Sequence, residues 1–202
     1  MKNDNNTAKK VMLVLLKDLS AHTITTLAKE IDFSRVGMWK LLKKLESSQF
    51  IFLQSAGSGK TSTLLAKVNW KNPLTKKILG LYLTEDSLSQ RRWRTNFMKL
   101  EGVADFLILY GSILHSDEHA NDIDLFSVVS DDKNFVAIEK IVNDIQKTLL
   151  KKIHIINFKE HELEEELLRS RPFIDAIKKG VVLFGQERFI TFMERVHSLW
   201  QQ

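Results

Sequence analysis

Residues 7–19, TAKKVMLVLLKDL, place apolar side chains at Val11, Met12, Leu15, Leu16 and Leu19, the spacing of one helix face. Thr23 or Thr25 offers a cap for a second helix running to Ile31, with Leu27, Ala28 and Ile31 turned inward. Asp32 and Phe33 make a short turn. Ser34 then caps a third helix from about Arg35 to Ser47, on which Val36, Trp39, Leu42 and Leu45 form a stripe. The period then changes from helical to alternating. Residues 49–53, QFIFL, read as a strand, 56–60 as a turn, and Thr63 to Val68 as the returning strand.

Three short helices with a tight turn between the second and third, followed by a hairpin, resemble the winged helix-turn-helix family over about 65 residues. The resemblance implies that the third helix enters the major groove. Ser34 and Arg35 sit at its start, where base edges are reached. Lys40, Lys43 and Lys44 on its exposed side, and Lys60 at the hairpin tip, suit phosphate contacts. The segment Ala56-Gly57-Ser58-Gly59-Lys60-Thr61 mimics the end of a phosphate-binding P-loop. The motif's first glycine is missing, since Gln54 stands there, and a strand follows instead of a helix.

Residues 69–73, NWKNP, break both periods and mark a boundary. Pro73 suits the first turn of a helix over about 74–83, with Leu74, Ile78, Leu81 and Tyr82 as its apolar positions. Thr84 reads as the cap of a further helix over 84–100, carrying Arg91, Arg92 and Arg94 around Trp93. The expected organisation is an N-terminal domain over 1–70, a helical connector over 71–100 and a second domain over 101–202.

Composition narrows the classes. Of 202 residues, 44 % are apolar and 27 % charged, and twelve Phe can supply a core. Cysteine is absent, which excludes disulfides, thiol catalysis and cysteine-held metals. No apolar run reaches the length of a membrane span, and the polar start MKNDNNTAKK lacks a signal-peptide core, so no membrane association and a cytoplasmic location are expected. The net charge of +5 is unevenly placed. Residues 1–100 hold 18 Lys/Arg against 7 Asp/Glu, or +11; residues 101–202 hold 12 against 18, or −6. A basic front half suits a polyanion such as duplex DNA; an acidic back half suits a cation.

The chemistry lies in that back half. Residues 105–111 form an apolar run ending in Gly111-Ser112, and a second run begins Asp122-Ile123-Asp124. On a strand, residues i and i+2 share a face, so Asp122 and Asp124 present two carboxylates side by side. Two hard oxygen ligands suit Mg²⁺, which takes its remaining ligands from water and substrate phosphates. A helix beginning at Gly111-Ser112 would turn its N–H groups toward such a phosphate.

Leu109-Tyr110-Gly111-Ser112 and Asn121-Asp122-Ile123-Asp124-Leu125, with the tail Arg171–Ile177 and Gly180–Gly185, resemble the nucleotidyltransferase superfamily of DNA polymerase beta in its minimal form, over about residues 95–190. The whole chain is thus expected to be α+β: an N-terminal winged helix-turn-helix plus a C-terminal α/β nucleotidyltransferase-like domain with a mixed sheet. The resemblance implies that Gly111 and Ser112 bind nucleotide phosphate and that Asp122 and Asp124 hold Mg²⁺ for transfer from a nucleoside triphosphate. Asn121 departs from the family's serine. The position of the family's third carboxylate, on the strand 152–158, holds His154. Imidazole is a poor Mg²⁺ ligand but can serve as a general base.

Two functions follow from that departure. One is a DNA-binding regulatory protein with a nucleotidyltransferase-like domain that lacks the third carboxylate. The other is an active Mg²⁺-dependent nucleotidyltransferase whose acceptor the sequence does not identify. The last helix, 186–202, carries Phe189, Phe192, Met193, Val196 and Trp200 at helical spacing, for core packing by default and otherwise for a homodimer contact.

Overall fold

The computed structural model describes residues 2–56 and 63–200. The chain divides into two compact units, Met1–Tyr82 and Leu83–Gln202. No helix among the described residues is long and apolar enough to cross a membrane.

The first unit runs α1 (Lys2–Lys17), β1 (His22–Thr23), α2 (Ile24–Glu30), α3 (Arg35–Ser47), β2 (Ile51–Ala56) and β3 (Thr63–Val68). Val11, Met12, Leu15 and Leu16 of α1 are fully or almost fully buried, as is Leu19 just beyond it. Thr23 caps α2. Its Oγ1 accepts from the Thr26 amide at 3.1 Å, while Thr26 Oγ1 accepts from the Thr23 amide at 2.8 Å. A cap of this kind contributes about 1 kcal/mol. Asp32 takes a left-handed φ of 55°, and the Phe33 amide reaches back to the Ala28 carbonyl (2.8 Å), which ends α2 sharply. Ser34 then accepts from the Gly37 amide (3.1 Å) and starts α3. Gln49, at φ 59°, closes α3 in the same way as Asp32 closes α2. β2 and β3 form an antiparallel hairpin, and β1 adds to the far side of β3, giving the order β1-β3-β2.

Two expectations for this unit fail. The buried face of α3 is Met38, Leu41, Leu42 and Leu45; Val36 is 67 % exposed and Trp39 38 % exposed. Lys43 lies 4.9 Å from the centre of the Trp39 ring, so a cation partly covers the indole instead of the core. The strand expected at 49–53 begins two residues later, at Ile51, because Gln49 and Phe50 are used in ending α3.

Beyond the hairpin, Asn72 Oδ1 accepts from the Leu74 amide (3.0 Å) and α4 begins at Pro73. It continues unbroken to Ser89, so Thr84 lies within a helix and caps nothing. The buried side of α4 is Thr75, Leu79, Leu83 and Ser87, at four-residue spacing, and Leu74 and Leu81 are exposed. A separate short helix, α5 (Arg91–Asn96), follows, in place of one helix to residue 100.

The second unit is built on a mixed sheet of β4 (Phe106–Tyr110), β5 (Asp122–Val129), β6 (Lys152–Lys159) and β7 (Val181–Phe184), in the order β6-β5-β4-β7. β5 pairs in parallel with β6 and antiparallel with β4, and β4 pairs antiparallel with β7. The parallel step requires a crossover, and α6 (Lys133–Gln146) supplies it. On one face Trp93 and Phe97 join Ile138, Val142 and Ile145 of α6 over Leu107, Leu109, Ile123, Leu125 and Val129. The other face meets α7 (Glu160–Arg169), α8 (Arg171–Lys179) and α9 (Gln186–Trp200) through aromatic rings. Phe126 meets Phe158 and Phe173 at centroid distances of 5.7 and 5.4 Å, and Phe106 meets Phe189 and Phe192 at 5.5 and 5.4 Å. Arg195 of α9 binds Glu160 and Glu164 of α7, each at 2.9 Å. Phe189, Phe192, Met193 and Val196 are core residues of α9; Trp200 is 41 % exposed.

Candidate functional site

The site forms at the end of the sheet where β4 finishes and β5 and β6 begin. Asp122 and Asp124 are two residues apart on β5 and share a face. That face continues inward through the buried Phe126, so the two carboxylates stand at its rim. In the parallel register with β6, Asp124 lies opposite His154. His154 Nδ1 is 3.4 Å from Asp122 Oδ2 and 3.6 Å from Asp124 Oδ1. The three side chains offer donor atoms within 4.8 Å of one another.

Electrostatics strain this arrangement. Partial burial, and next the neighbouring Asp122 charge, push the Asp124 carboxyl above its ordinary value, while His154 pulls it back. Two carboxylates held this closely favour a counter-cation. The donor set fits a divalent ion: two hard oxygens, one borderline nitrogen, and room for water or phosphate at the exposed rim.

Gly111 joins this cluster to the preceding strand. It adopts φ 84°, and a Cβ there would overlap Asp124 Oδ2. Both the backbone conformation and the close approach require glycine. Ser112 follows at the surface and opens only a three-residue 3₁₀ turn, Ser112–Leu114. The longer helix expected there, with amides aimed at phosphate, does not form. The loop to Asn121 is instead held by its own polar groups. Ser116 Oγ and His119 Nδ1 are 2.8 Å apart, and Asp117 pairs with Arg92.

Sequence reasoning gave Tyr110 no role, yet it belongs to the site. It pairs across the sheet with Asp124 and stacks on Phe126 at 4.1 Å. Burial, then the charges of Asp124 and Asp122, push its hydroxyl up to about 12, so it stays protonated as a donor. The available signal was its place directly before Gly111, where antiparallel pairing sets it against the acid pair. Asn157 lies on the opposite face, where its side chain accepts from the buried Ser127 hydroxyl at 2.5 Å.

Two of the arginines near Trp93, Arg92 and Arg94, have structural partners. Arg94 donates to the Leu183 carbonyl (2.8 Å) and to Ser87 Oγ (2.9 Å), which ties it to the edge strand. Arg92 stacks on Trp93 and pairs with Asp117.

In the first unit, Ser34, Arg35, Lys40, Lys43 and Lys44 are all exposed on α3 or at its start. Ser34 is engaged as the helix cap and Lys43 pairs with Glu46 at 2.8 Å, while Arg35, Lys40 and Lys44 extend the basic surface. Lys60 and its turn lie outside the described residues.

A mixed sheet of this order, with an acid pair at the start of β5 and a glycine turn beside it, is consistent with a nucleotidyltransferase-like domain. Residues 95–188 match the model of the family described as Polymerase beta, Nucleotidyltransferase. No curated protein and no solved structure matches the chain.

Proposed function

We propose that the chain is a DNA-binding regulatory protein whose nucleotidyltransferase-like unit binds a divalent cation with a nucleoside triphosphate and transfers little or nothing. One observation carries this reading: His154 stands in register with Asp124, at the position where the resembled family has its third carboxylate. Asp122 and Asp124 would hold the cation, Mg²⁺ or Mn²⁺, which would neutralise phosphate charge there. Gly111 lets the Asp124 carboxylate lie directly against the turn, and the protonated Tyr110 hydroxyl supplies a donor beside the acids. With the third oxygen ligand replaced by nitrogen, cation binding outlasts the activation of an attacking hydroxyl.

The DNA-binding half of the proposal treats the first unit as a winged helix-turn-helix. It is supported by the order of three helices and a hairpin, and by the cations and exposed Trp39 on α3. A second reading, a working nucleotidyltransferase, draws support from the closeness of His154 Nδ1 to both carboxylates, where imidazole can take a proton.

Incubating the purified chain with labelled nucleoside triphosphates, Mg²⁺ or Mn²⁺, and duplex DNA or a cell lysate tests the two together. Cation-dependent nucleotide binding without label transfer supports the first reading. Robust transfer abolished by Asp122→Asn would establish the second.

A further inference from the structure

A second group of metal-ligand side chains lies in the first unit, on elements that the proposed DNA contact does not use. Asp18 follows α1, His22 is in β1, and Glu30 ends α2. They offer donor atoms within 4.8 Å of one another. His22 Nε2 is 3.3 Å from Asp18 Oδ2, and His22 Nδ1 is 3.9 Å from Glu30 Oε2. The imidazole therefore lies between two carboxylates.

Its burial makes the group unusual. The His22 side chain is 4 % exposed and that of Asp18 is 7 % exposed. A buried polar nitrogen without a hydrogen bond has lost its contact with water and gained nothing in exchange. His22 Nε2 is such an atom: it is fully buried and no hydrogen bond reaches it. The ring cannot easily turn away to water, because it is buried and its backbone is held by pairing with Ala66 in the sheet. Something that accepts the Nε2 lone pair would relieve the cost.

The spacing suits a metal ion. Bonds of about 2.0–2.1 Å in a tetrahedron separate neighbouring ligands by roughly 3.3 Å. That is the distance between His22 Nε2 and Asp18 Oδ2. Glu30 is partly exposed on the last turn of α2, and its carboxylate is near enough to both other donors to supply a third ligand. Water would complete the shell. One nitrogen and two carboxylate oxygens, with no sulfur, select a borderline divalent ion such as Zn²⁺ over a soft or an alkaline-earth one.

We propose that Asp18, His22 and Glu30 form a site for a transition-metal divalent cation of the Zn²⁺ class, which clamps the end of α1 to β1 and α2. It is separate in sequence and in unit from the Asp122–Asp124–His154 cluster and does not rest on the reading of that cluster. The bound ion fixes the segment leading into α3.

The test uses the full chain carrying Asp122→Asn and Asp124→Asn, so that the other cluster no longer competes. Equilibrium dialysis against Zn²⁺ should leave one tightly held equivalent, and Co²⁺ should give the visible absorption of a four-coordinate site. Adding His22→Gln should abolish both. Glu30→Gln, at a partly exposed position, should lower Zn²⁺ affinity at least about tenfold while the metal-free protein still unfolds cooperatively. This second variant decides the matter if His22→Gln does not fold. Absence of tightly bound Zn²⁺, or binding that survives both His22→Gln and Glu30→Gln, overturns the proposal.

Discussion

Removing one charge from the acid pair should stabilise the metal-free protein. Asp124→Asn keeps the side-chain shape and deletes a charge whose neighbour, Asp122, offers an oxygen no more than 4.8 Å away. Two like charges at that separation repel by roughly 1 kcal/mol at water's permittivity and roughly 3–4 kcal/mol at an effective value near 20. The two side chains are 35 % and 24 % exposed and His154 lies beside them, so the lower figure applies. A gain of about 1 kcal/mol corresponds to about 3–5 °C in melting temperature for a unit of this size. The sign with pH is fixed by the raised Asp124 pKa. The native state holds that proton to higher pH than the unfolded chain does. The destabilisation therefore grows as pH rises from the ordinary value of 3.8 through the native one, and it is complete at neutral pH. The assay is thermal denaturation in EDTA, then with Mn²⁺ and a nucleoside triphosphate, at neutral pH and near pH 4. The variant should melt higher than wild type in EDTA at neutral pH, and the gap should close on acidification. Only wild type should gain from cation and nucleotide, by RT ln(1 + [L]/Kd). A variant that melts lower in EDTA at neutral pH, or that gains from the cation as wild type does, refutes the reasoning.

Other outcomes follow from individual residues. Gly111→Ala should cost about 1–3 kcal/mol, because alanine is strained at φ 84° and its Cβ displaces Asp124; denaturation together with loss of the cation response checks it. Because His154 supplies a borderline nitrogen, Mn²⁺ should raise the melting temperature more than Mg²⁺ at equal concentration, and His154→Asp should narrow that difference. The same His154→Asp variant, assayed with labelled nucleoside triphosphates, should gain transfer activity if only that carboxylate is missing. Lys40→Ala with Lys44→Ala should flatten the log–log salt dependence of duplex binding by about 0.9 for each phosphate no longer neutralised, read by fluorescence anisotropy between low and moderate salt.

Much of the site was legible because strand geometry has a fixed period. Asp122 and Asp124 had to share a face once they lay on a strand, and the parallel partner then placed His154 beside them. Helix starts were legible where a side chain makes the cap, as at Thr23 and Ser34. Helix faces were less so. On α3, two apolar stripes compete, one through Val36 and Trp39 and one through Met38, Leu41 and Leu45; periodicity alone does not say which is buried. Thr84 with two acids after it has the composition of a helix start, but no residue before it breaks α4, so the helix runs through. The Asp18–His22–Glu30 group escaped notice because its members fall after one helix, in a two-residue strand and at the end of the next helix. No single period relates them.

The two units therefore pose different chemical questions around the same side chain. His22 is held by its strand between two carboxylates, buried, with a nitrogen that lacks a hydrogen bond; a cation there is structural and acts on the local fold. His154 is 45 % exposed at a sheet end, beside an acid pair that is itself partly exposed. A cation at that second place remains accessible to a phosphate, and its removal leaves the sheet beneath it intact, because Ile123, Leu125 and Phe126 are buried independently of it. The contrast gives a direct expectation. Chelation should loosen the first unit, seen as faster amide exchange in α1 and α2, and should leave the exchange of β4 and β5 unchanged except next to Asp122. Uniform loosening of both units would contradict this division between a structural and a ligand-facing site.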